Sequence, residues 1–373
     1  MTAVKGTILL CAGGTGGHLF PAQALAHELA VRGWEIHLAT DDRAQRYSAD
    51  FPASEIYVIP SATLGSKNPL RLAKTAFRLI SGYFRSQALL KRLQPSLVIG
   101  FGGYPTLPPV AAAQYKGIAT LLHDANAVMG RANRFLARQA RMVAMGFEGA
   151  ADDGAIIIGN PVRRAVLEAA KQPYGKLEKG GTFRLLVFGG SQGAQYFGEA
   201  VPKAVALLGK ELQERLSIVQ QARSNDEARV GEAYGQLGIS AEIATFFADM
   251  PARIADAHLV IARSGASTVS ELSVIGRPSI LVPYPHALDH DQSMNARAML
   301  LAGGAQLVEQ RDLTPQKLAE LLDKAMSEPD SLAKMAQAAK ESGRPDATMR
   351  LADCAEYLAE GGDPAAYTAQ HTE

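Results

Sequence analysis

The chain has 373 residues, with 38 Lys and Arg against 37 Asp and Glu, 47% hydrophobic residues and 2 cysteines. That apolar content excludes a disordered chain, and Cys11 and Cys354 lie too far apart in sequence for a disulfide framework or a cysteine-based zinc site, which suits a reducing, cytoplasmic compartment. The amino terminus runs straight into a glycine loop with too short an apolar stretch for a signal peptide, and no run approaches the roughly 20 apolar residues that cross a bilayer, so membrane contact is expected to be peripheral.

Short β-rich apolar runs alternate with longer helical patterns, the mark of βαβ units and parallel sheets. Strands are predicted at Thr7–Leu10, Glu35–Ala39, Glu55–Ile59, Leu97–Ile99, Thr120–Leu122, Arg141–Ala144 and Ala155–Ile158, a complete doubly wound domain. The stretch 171–181 is polar and rich in chain breakers and reads as a surface connection. A second set is predicted at Arg184–Phe188, Ser217–Gln220, Glu242–Phe246, Leu259–Ile261, Ser279–Val282 and Ala305–Leu307. At roughly 100–200 residues per domain, the length suits two such domains in series. The division expected is 1–162 and 163–340, then a C-terminal helix over 341–360 packing back on the first domain and a disordered tail over 361–373.

Net charge hides an asymmetry: residues 1–160 hold 16 Lys and Arg against 10 Asp and Glu, and the remainder 22 against 27. No acid lies between Glu55 and Asp124, a span carrying Lys67, Arg71, Lys74, Arg78, Arg85, Lys91, Arg92 and Lys116, so one face should attract anions.

Both domains open with an apolar strand running into glycines, TILLCAGGTGGH at 7–18 and RLLVFGGSQGA at 184–194, and a third cluster, VIGFGGYPTLPP, occupies 98–109. The first loop precedes a helix expected from about Pro21, which would present backbone N–H groups and a positive helix end to an oxyanion. Leu19 stands where the dinucleotide fingerprint needs Gly or Ala, which argues against a nicotinamide dehydrogenase despite Asp41 and Asp42 after the second strand. The second loop adds Ser191, whose hydroxyl can donate to a phosphate. The turn Arg263–Glu271 opens another helix, and Glu271 reads either as an acceptor for a ribose diol or as an ordinary helical acid. His286, Asp289, His290 and Asp291 lack the spacing of a metal-binding motif.

In this order, GGTGGHLFPA, GFGGYPTLPP, HDANAVMGRANRFLA, GNPVR, FGGSQGA, FFADM, RSGASTVSELSVIGRP and Gln292 with Asn295-Ala296 resemble the MurG family over about residues 7 to 310. These are UDP-N-acetylglucosamine transferases acting on undecaprenyl-pyrophosphoryl-MurNAc-pentapeptide, lipid I, to give lipid II in peptidoglycan synthesis, and so serve cell-wall biogenesis, cell shape and division. The resemblance implies a GT-B architecture, two Rossmann-like doubly wound domains facing across a cleft, the second holding the sugar donor and the first the acceptor. It implies donor contacts from Thr15, Gly16 and Gly17, and from Asn126 to the GlcNAc hydroxyls. Arg163 and Ser191 would face the diphosphate, the Phe247 backbone and the turn Ala266, Ser267, Thr268, Val269, Ser270 and Glu271 the uridine and ribose, and Gln292 the sugar. His18 and Tyr104 fall near the expected acceptor position. The chain departs from the family's frequent HEQNA, reading His123-Asp124-Ala125-Asn126-Ala127, and carries Asp291-Gln292 where some members have two glutamines.

The reaction needs a base for the acceptor hydroxyl and a clamp for the leaving UDP. His18 is the candidate base by residue type, although at a helix start it can instead donate to a phosphate. The Ser191 loop, helix ends and Arg163 would hold the diphosphate with no metal and no further cofactor. In segment 68–93, Leu79, Ile80 and Phe84 are interleaved with Lys74, Arg78 and Arg85, which reads either as a helix for an anionic membrane surface or as one packed on its own domain with a solvated basic rim. The expectation is an inverting enzyme at the cytoplasmic face of a bacterial inner membrane, its partners UDP-GlcNAc, lipid I and other cell-wall proteins but no nucleic acid. The rivals are another GT-B enzyme or a UDP-GlcNAc epimerase without lipid I, and a non-catalytic nucleotide-sugar binder.

Overall fold

The computed structural model describes residues 4–43, 51–62, 68–149, 154–190, 194–286 and 291–371. The chain forms two compact units, Met1–Arg163 with Pro345–Glu373, and Arg164–Arg344.

In the first unit β1 (Thr7–Cys11), β2 (Glu35–Thr40), β3 (Glu55–Val58), β4 (Leu97–Gly100), β5 (Thr120–Asp124), β6 (Met142–Met145) and β7 (Ile156–Ile157) make a parallel sheet in the order β3-β2-β1-β4-β5-β6-β7. Such strands are buried on both faces, which is why they read as unbroken apolar runs. The two-residue period then sorts β1: Ile8 and Leu10 join Leu19, Leu25 and Leu29 of α1 (Gly16–Val31) in one core. Leu9 and Cys11 join the opposite core with Leu89 and Leu90 of α2 (Pro69–Leu93), Val110 and Ala113 of α3 (Leu107–Tyr115) and Leu136 of α4 (Arg131–Ala137).

The second unit opens with α5 (Arg164–Ala169), then β8 (Phe183–Phe188), α6 (Ala194–Ala206), α7 (Lys210–Glu214), β9 (Leu216–Gln221), α8 (Glu227–Gln236), β10 (Ser240–Ala244) and α9 (Met250–Asp256). It continues through β11 (Leu259–Ala262), α10 (Ala266–Ile275), β12 (Ser279–Leu281), α11 (Asp291–Asn295), α12 (Arg297–Leu301), β13 (Ala305–Leu307), α13 (Pro315–Ser327) and α14 (Pro329–Glu341). Its sheet is also parallel, ordered β10-β9-β8-β11-β12-β13. One strand is displaced from its sequence expectation. β10 pairs Ser240 with Ser217 and Ala244 with Gln221, so pairing at this sheet edge, rather than apolar content, sets its ends and leaves Phe246 in the following turn, 68% exposed.

The chain returns to the first unit as α15 (Ala347–Ala359) and α16 (Pro364–His371). The expected helix over 341–360 is thus broken between α14 and α15, and the expected disordered tail carries a helix. Tyr367 accounts for the latter: it is buried in the core that holds Leu351, Ala355, Leu358 and Ile8, its ring 5.1 Å from that of Tyr357. One aromatic side chain anchors a segment too short to show a period.

A charge cluster ties α15 down. Glu356 accepts hydrogen bonds from Lys5 Nζ at 2.8 Å, Trp34 Nε1 at 2.9 Å and Arg32 Nη1 at 2.7 Å. Partial burial alone would raise its pKa, but these three donors outweigh burial and bring it from the ordinary 4.5 down to about 2. A depressed carboxylate pKa contributes stability above its unfolded value that is lost as pH falls through the folded value. Glu356→Gln should therefore cost about 1–3 kcal/mol at neutral pH and flatten the dependence of stability between pH 4.5 and about 2, as read by thermal melts. An unchanged melting profile would show that α15 is held by its apolar face alone.

Candidate active site

Strand order reverses between β1 and β4 in the first sheet and between β8 and β11 in the second. The helix after β1 leaves toward one core and that after β4 toward the other, so their loops diverge and open a crevice at the carboxyl ends of the strands, where ligands of such sheets bind. Each unit carries its own cluster of candidate residues at that edge.

In the first unit α1 starts at Gly16, a turn before the expected Pro21, because the Thr15 carbonyl accepts from both His18 N (3.1 Å) and Leu19 N (3.0 Å). This puts His18 in the helix's first turn. Its imidazole is packed against backbone: a Cβ at Gly13 would lie 3.1 Å from Nδ1, one at Gly102 3.3 Å from Cδ2, and one at Gly103 3.4 Å from Cε1. Gly102 and Gly103 also adopt φ of +88° and +78°, which side-chain-bearing residues rarely do. The β1 and β4 loops are joined by Gly13 N donating to Gly102 O (3.1 Å), and the buried Thr106 hydroxyl donates to Gly102 O (2.7 Å) and Cys11 O (3.2 Å). Tyr104 opens the 3-10 turn that leads to α3 and is half-buried next to this glycine pair.

The His18 ring keeps part of its surface open, yet protein surrounds it. Burial holds its pKa below the ordinary imidazole value; Asp124 pulls upward, Arg43 downward and Asp41 upward, and the net shift is down. The imidazole is accordingly neutral at pH 7 and able to take a proton. Thr15 Oγ1 lies 3.0 Å from Nδ1.

Asp124, at the end of β5, organises the turn that carries Asn126. One carboxylate oxygen accepts from Asn126 N (3.1 Å), and the other from Gly130 N (2.8 Å) and Asn133 Nδ2 (3.0 Å). Asn126 is left half-buried on a fixed turn. Beside it, burial lowers the His123 pKa to about 4 against the opposing pull of the Gly159 carbonyl and Asp124, which fits a neutral ring within the fold. The Arg163 guanidinium stacks on the Phe20 ring at 4.1 Å, and Phe20 in turn covers Gly16, so Arg163, Gly16, Gly17 and His18 share the start of α1.

In the second unit Ser191 lies outside the described residues; the loop before it holds Gly190 at φ +65°, with Gly189 N donating to Gln221 Oε1 (3.3 Å). Ala266, Ser267 and Thr268 are the first turn of α10, whose N–H groups have no intrahelical acceptor. The next three residues differ. Val269 is buried with its N–H on Gly265 O, the Ser270 hydroxyl donates to Ala266 O (2.9 Å), and Glu271 is buried at 8% exposure. Gln292 Oε1 accepts from Tyr284 N (2.9 Å), fixing the loop after β12. The Phe247 ring is covered by Arg253 at 4.2 Å, leaving its backbone in the turn after β10.

Two organising groups were not singled out from sequence as site residues. One is Asp124, visible there only as a departure from HEQNA. The other is Arg263, 5% exposed, which donates to Val282 O (3.2 Å), Pro283 O (3.0 Å) and Gln310 Oε1 (2.6 Å) beneath Tyr196, Phe197 and Tyr284, bracing the loop that Gln292 holds. Its position directly before the small-residue turn was the available signal. Of the acids and histidines weighed as metal ligands, Asp289 and His290 lie outside the described residues.

Helix α2 carries Arg71, Lys74, Arg78, Arg85, Lys91 and Arg92 and no acid, with Asn68 capping it by accepting from Leu70 N (2.9 Å). Phe77, Ile80 and Phe84, at i, i+3 and i+7, share one face and are 73%, 55% and 66% exposed. Lys74, Arg78, Arg85 and Arg92 fall along a neighbouring stripe. Gly82 lets α2 approach the chain at Pro60, where a Cβ would meet the Pro60 carbonyl oxygen at 2.1 Å. An apolar groove of about 410 Å³ lies between α2 and α3, lined by Leu79, Ile80, Tyr83, Phe84, Leu107 and Pro108. Among the described residues no helix is long and apolar enough to cross a membrane.

Comparison with known proteins follows this division. Residues 8–145 match the glycosyltransferase family 28 N-terminal domain and residues 184–351 the glycosyltransferase family 28 C-terminal domain. A Brucella abortus protein named UDP-N-acetylglucosamine--N-acetylmuramyl-(pentapeptide) pyrophosphoryl-undecaprenol N-acetylglucosamine transferase is 58% identical over 363 residues, 96% of each chain. The crystal structure of Acinetobacter baumannii MurG superposes with a TM-score of 0.74 at 29% identity, covering 94% of this chain and 99% of that one. The Neisseria meningitidis UDP-GlcNAc 2-epimerase reaches a TM-score of 0.66 at 14% identity over 93% of this chain and 98% of its own, a likeness of fold alone. With two parallel Rossmann-like sheets in GT-B architecture and these relatives, the chain belongs to glycosyltransferase family 28, within its MurG group of N-acetylglucosamine transferases.

Proposed function

We propose that this chain moves GlcNAc from UDP-GlcNAc to the 4-hydroxyl of MurNAc in lipid I, forming lipid II with a β1→4 linkage. The observation that carries the reading is 58% identity, end to end, to a protein bearing that activity in its name. What further supports it is the reversal of strand order in each sheet, beside which ligands of such sheets bind.

In this reading the acceptor hydroxyl gives its proton to His18 as its oxygen attacks the anomeric carbon, and the bond to UDP breaks with its electron pair passing to the diphosphate oxygen. A single displacement inverts the α-linked donor. Arg163, Ser191 and the first turn of α10 hold the diphosphate charge, so no metal is needed. Glu271 takes the ribose hydroxyls, the Phe247 backbone the uracil, and Asn126 and Gln292 the sugar. Thr15, Gly16 and Gly17 complete the donor contacts, with Tyr104 positioning the acceptor. A neutral His18 at pH 7 is the electrostatic precondition for the base role.

The enzyme works as a peripheral protein at the cytoplasmic face of the inner membrane. What supports this is the exposed Phe77, Ile80 and Phe84 face beside a stripe of cations, a pattern that buries apolar side chains at the headgroup boundary while cations meet anionic lipid, at about 1 kcal/mol per cation.

Four measurements follow. Radiolabelled GlcNAc should pass from UDP-GlcNAc to a short-chain lipid I analogue with EDTA present and only with acceptor added; label released as free or epimerised sugar would favour the epimerase. The acid limb of the pH–turnover profile should have its midpoint below the ordinary imidazole value of about 6.5, because the His18 shift is downward, and His18→Ala should retain donor binding while losing at least about 100-fold in turnover. Near-intact turnover in that variant would remove His18 from the mechanism. Phe84→Asp should weaken binding to vesicles containing anionic lipid more than turnover on a soluble acceptor; equal losses would point to a folding defect.

A further inference from the structure

We propose that Thr15 is a positioning residue for the transfer: its side-chain oxygen accepts a hydrogen bond from His18 Nδ1–H and so holds the ring with Nε2 as the proton-accepting atom. This rests on the reading of His18 as the base.

The local geometry departs from habit in a way that needs a reason. Thr15 is the N-cap of α1, with extended backbone at φ −119° and ψ 150°. An N-cap threonine ordinarily turns its hydroxyl oxygen to the N–H of the second or third helical residue. Here the side chain caps no backbone group. Its oxygen lies instead 3.0 Å from Nδ1 of His18, the third residue of the helix. Three residues after the cap is the position from which side chains reach back to the N-cap, so the pairing uses a familiar spacing for a new partner.

Glycine surrounds the rest of the ring. Gly13, Gly102 and Gly103 approach it with backbone alone and offer no side chain to steer it. Among the described residues the Thr15 contact is the hydrogen bond the ring makes. With the hydrogen on Nδ1, the lone pair sits on Nε2. When Nε2 takes the acceptor's proton, the ring becomes imidazolium, and Thr15 Oγ1 then accepts from a cation, a stronger bond than before. The contact is thus worth more in the transition state than in the resting enzyme, the condition for an effect on kcat rather than on binding. Thr15 also keeps its own O–H as a donor, compatible with a donor-sugar contact.

The test compares Thr15→Val, which removes the hydroxyl at constant shape, with Thr15→Ser, which restores it. Folding of each is checked by thermal melt and by UDP binding. Thr15→Val should lower kcat at least about tenfold and displace the acid limb of the kcat profile to lower pH, beyond any rise in KM for UDP-GlcNAc from the lost donor contact. Thr15→Ser should stay within about threefold of the unaltered enzyme, and Thr15→Val added to His18→Ala should cost no further turnover, because the two act as one unit. A raised donor KM with unchanged kcat, a Thr15→Ser as slow as Thr15→Val, or additive losses in the double variant would overturn the proposal. Absence of acceptor-dependent transfer in the unaltered enzyme would instead overturn the functional reading on which it rests.

Discussion

Everything at the candidate site depends on the reversal of strand order beside the first strand of each sheet. In the first unit β1 has β2 on one side and β4 on the other. Because a crossover to a parallel neighbour is right-handed, chain leaving β1 and chain leaving β4 are driven to opposite faces. Their first residues after the strands cannot cover one another, and a crevice remains over the carboxyl ends. The second unit repeats the device with β9, β8 and β11. Two loops that are about ninety residues apart in sequence are thereby placed around one imidazole.

Glycine and burial then set the chemistry. At Gly13, Gly102 and Gly103 the backbone itself approaches His18, so glycine helps to desolvate the ring while Thr15 Oγ1 meets Nδ1. Desolvation holds the ring neutral, while Asp124, Arg43 and Asp41 trim the shift in alternating directions. Low-polarity surroundings penalise an unpaired charge, and two buried charged groups are bonded accordingly: in the first unit Asp124 accepts three hydrogen bonds, and in the second unit Arg263 spreads its charge over two carbonyls and an amide oxygen. Rigid supports of this kind let short loops hold their shape.

The parallel sheets were legible because strands buried on both faces write continuous apolar runs. β1, β4, β8 and β11 fall within a residue of their expected positions. β10 was misplaced by two residues because it is an edge strand, where pairing with β9 rather than composition decides the ends. α16 was missed because its anchor is a single tyrosine. At the site, the glycine loops could be read one by one, but their meeting around His18 is a property of strand order, which no spacing records. Asp124 and Arg263 were opaque for a different reason: two of the three partners of each are backbone groups, and a carbonyl or an N–H leaves no mark in a sequence.

The central claim is a single displacement at the anomeric carbon with His18 taking the proton. Its most direct measurement is the anomeric configuration of the disaccharide formed from UDP-GlcNAc and a lipid I analogue, read from the proton coupling at C1 by NMR. A β linkage, formed at least about 100-fold more slowly when His18→Ala is used, is the predicted result. An α-linked product would require two displacements and a covalent intermediate, and would contradict the account.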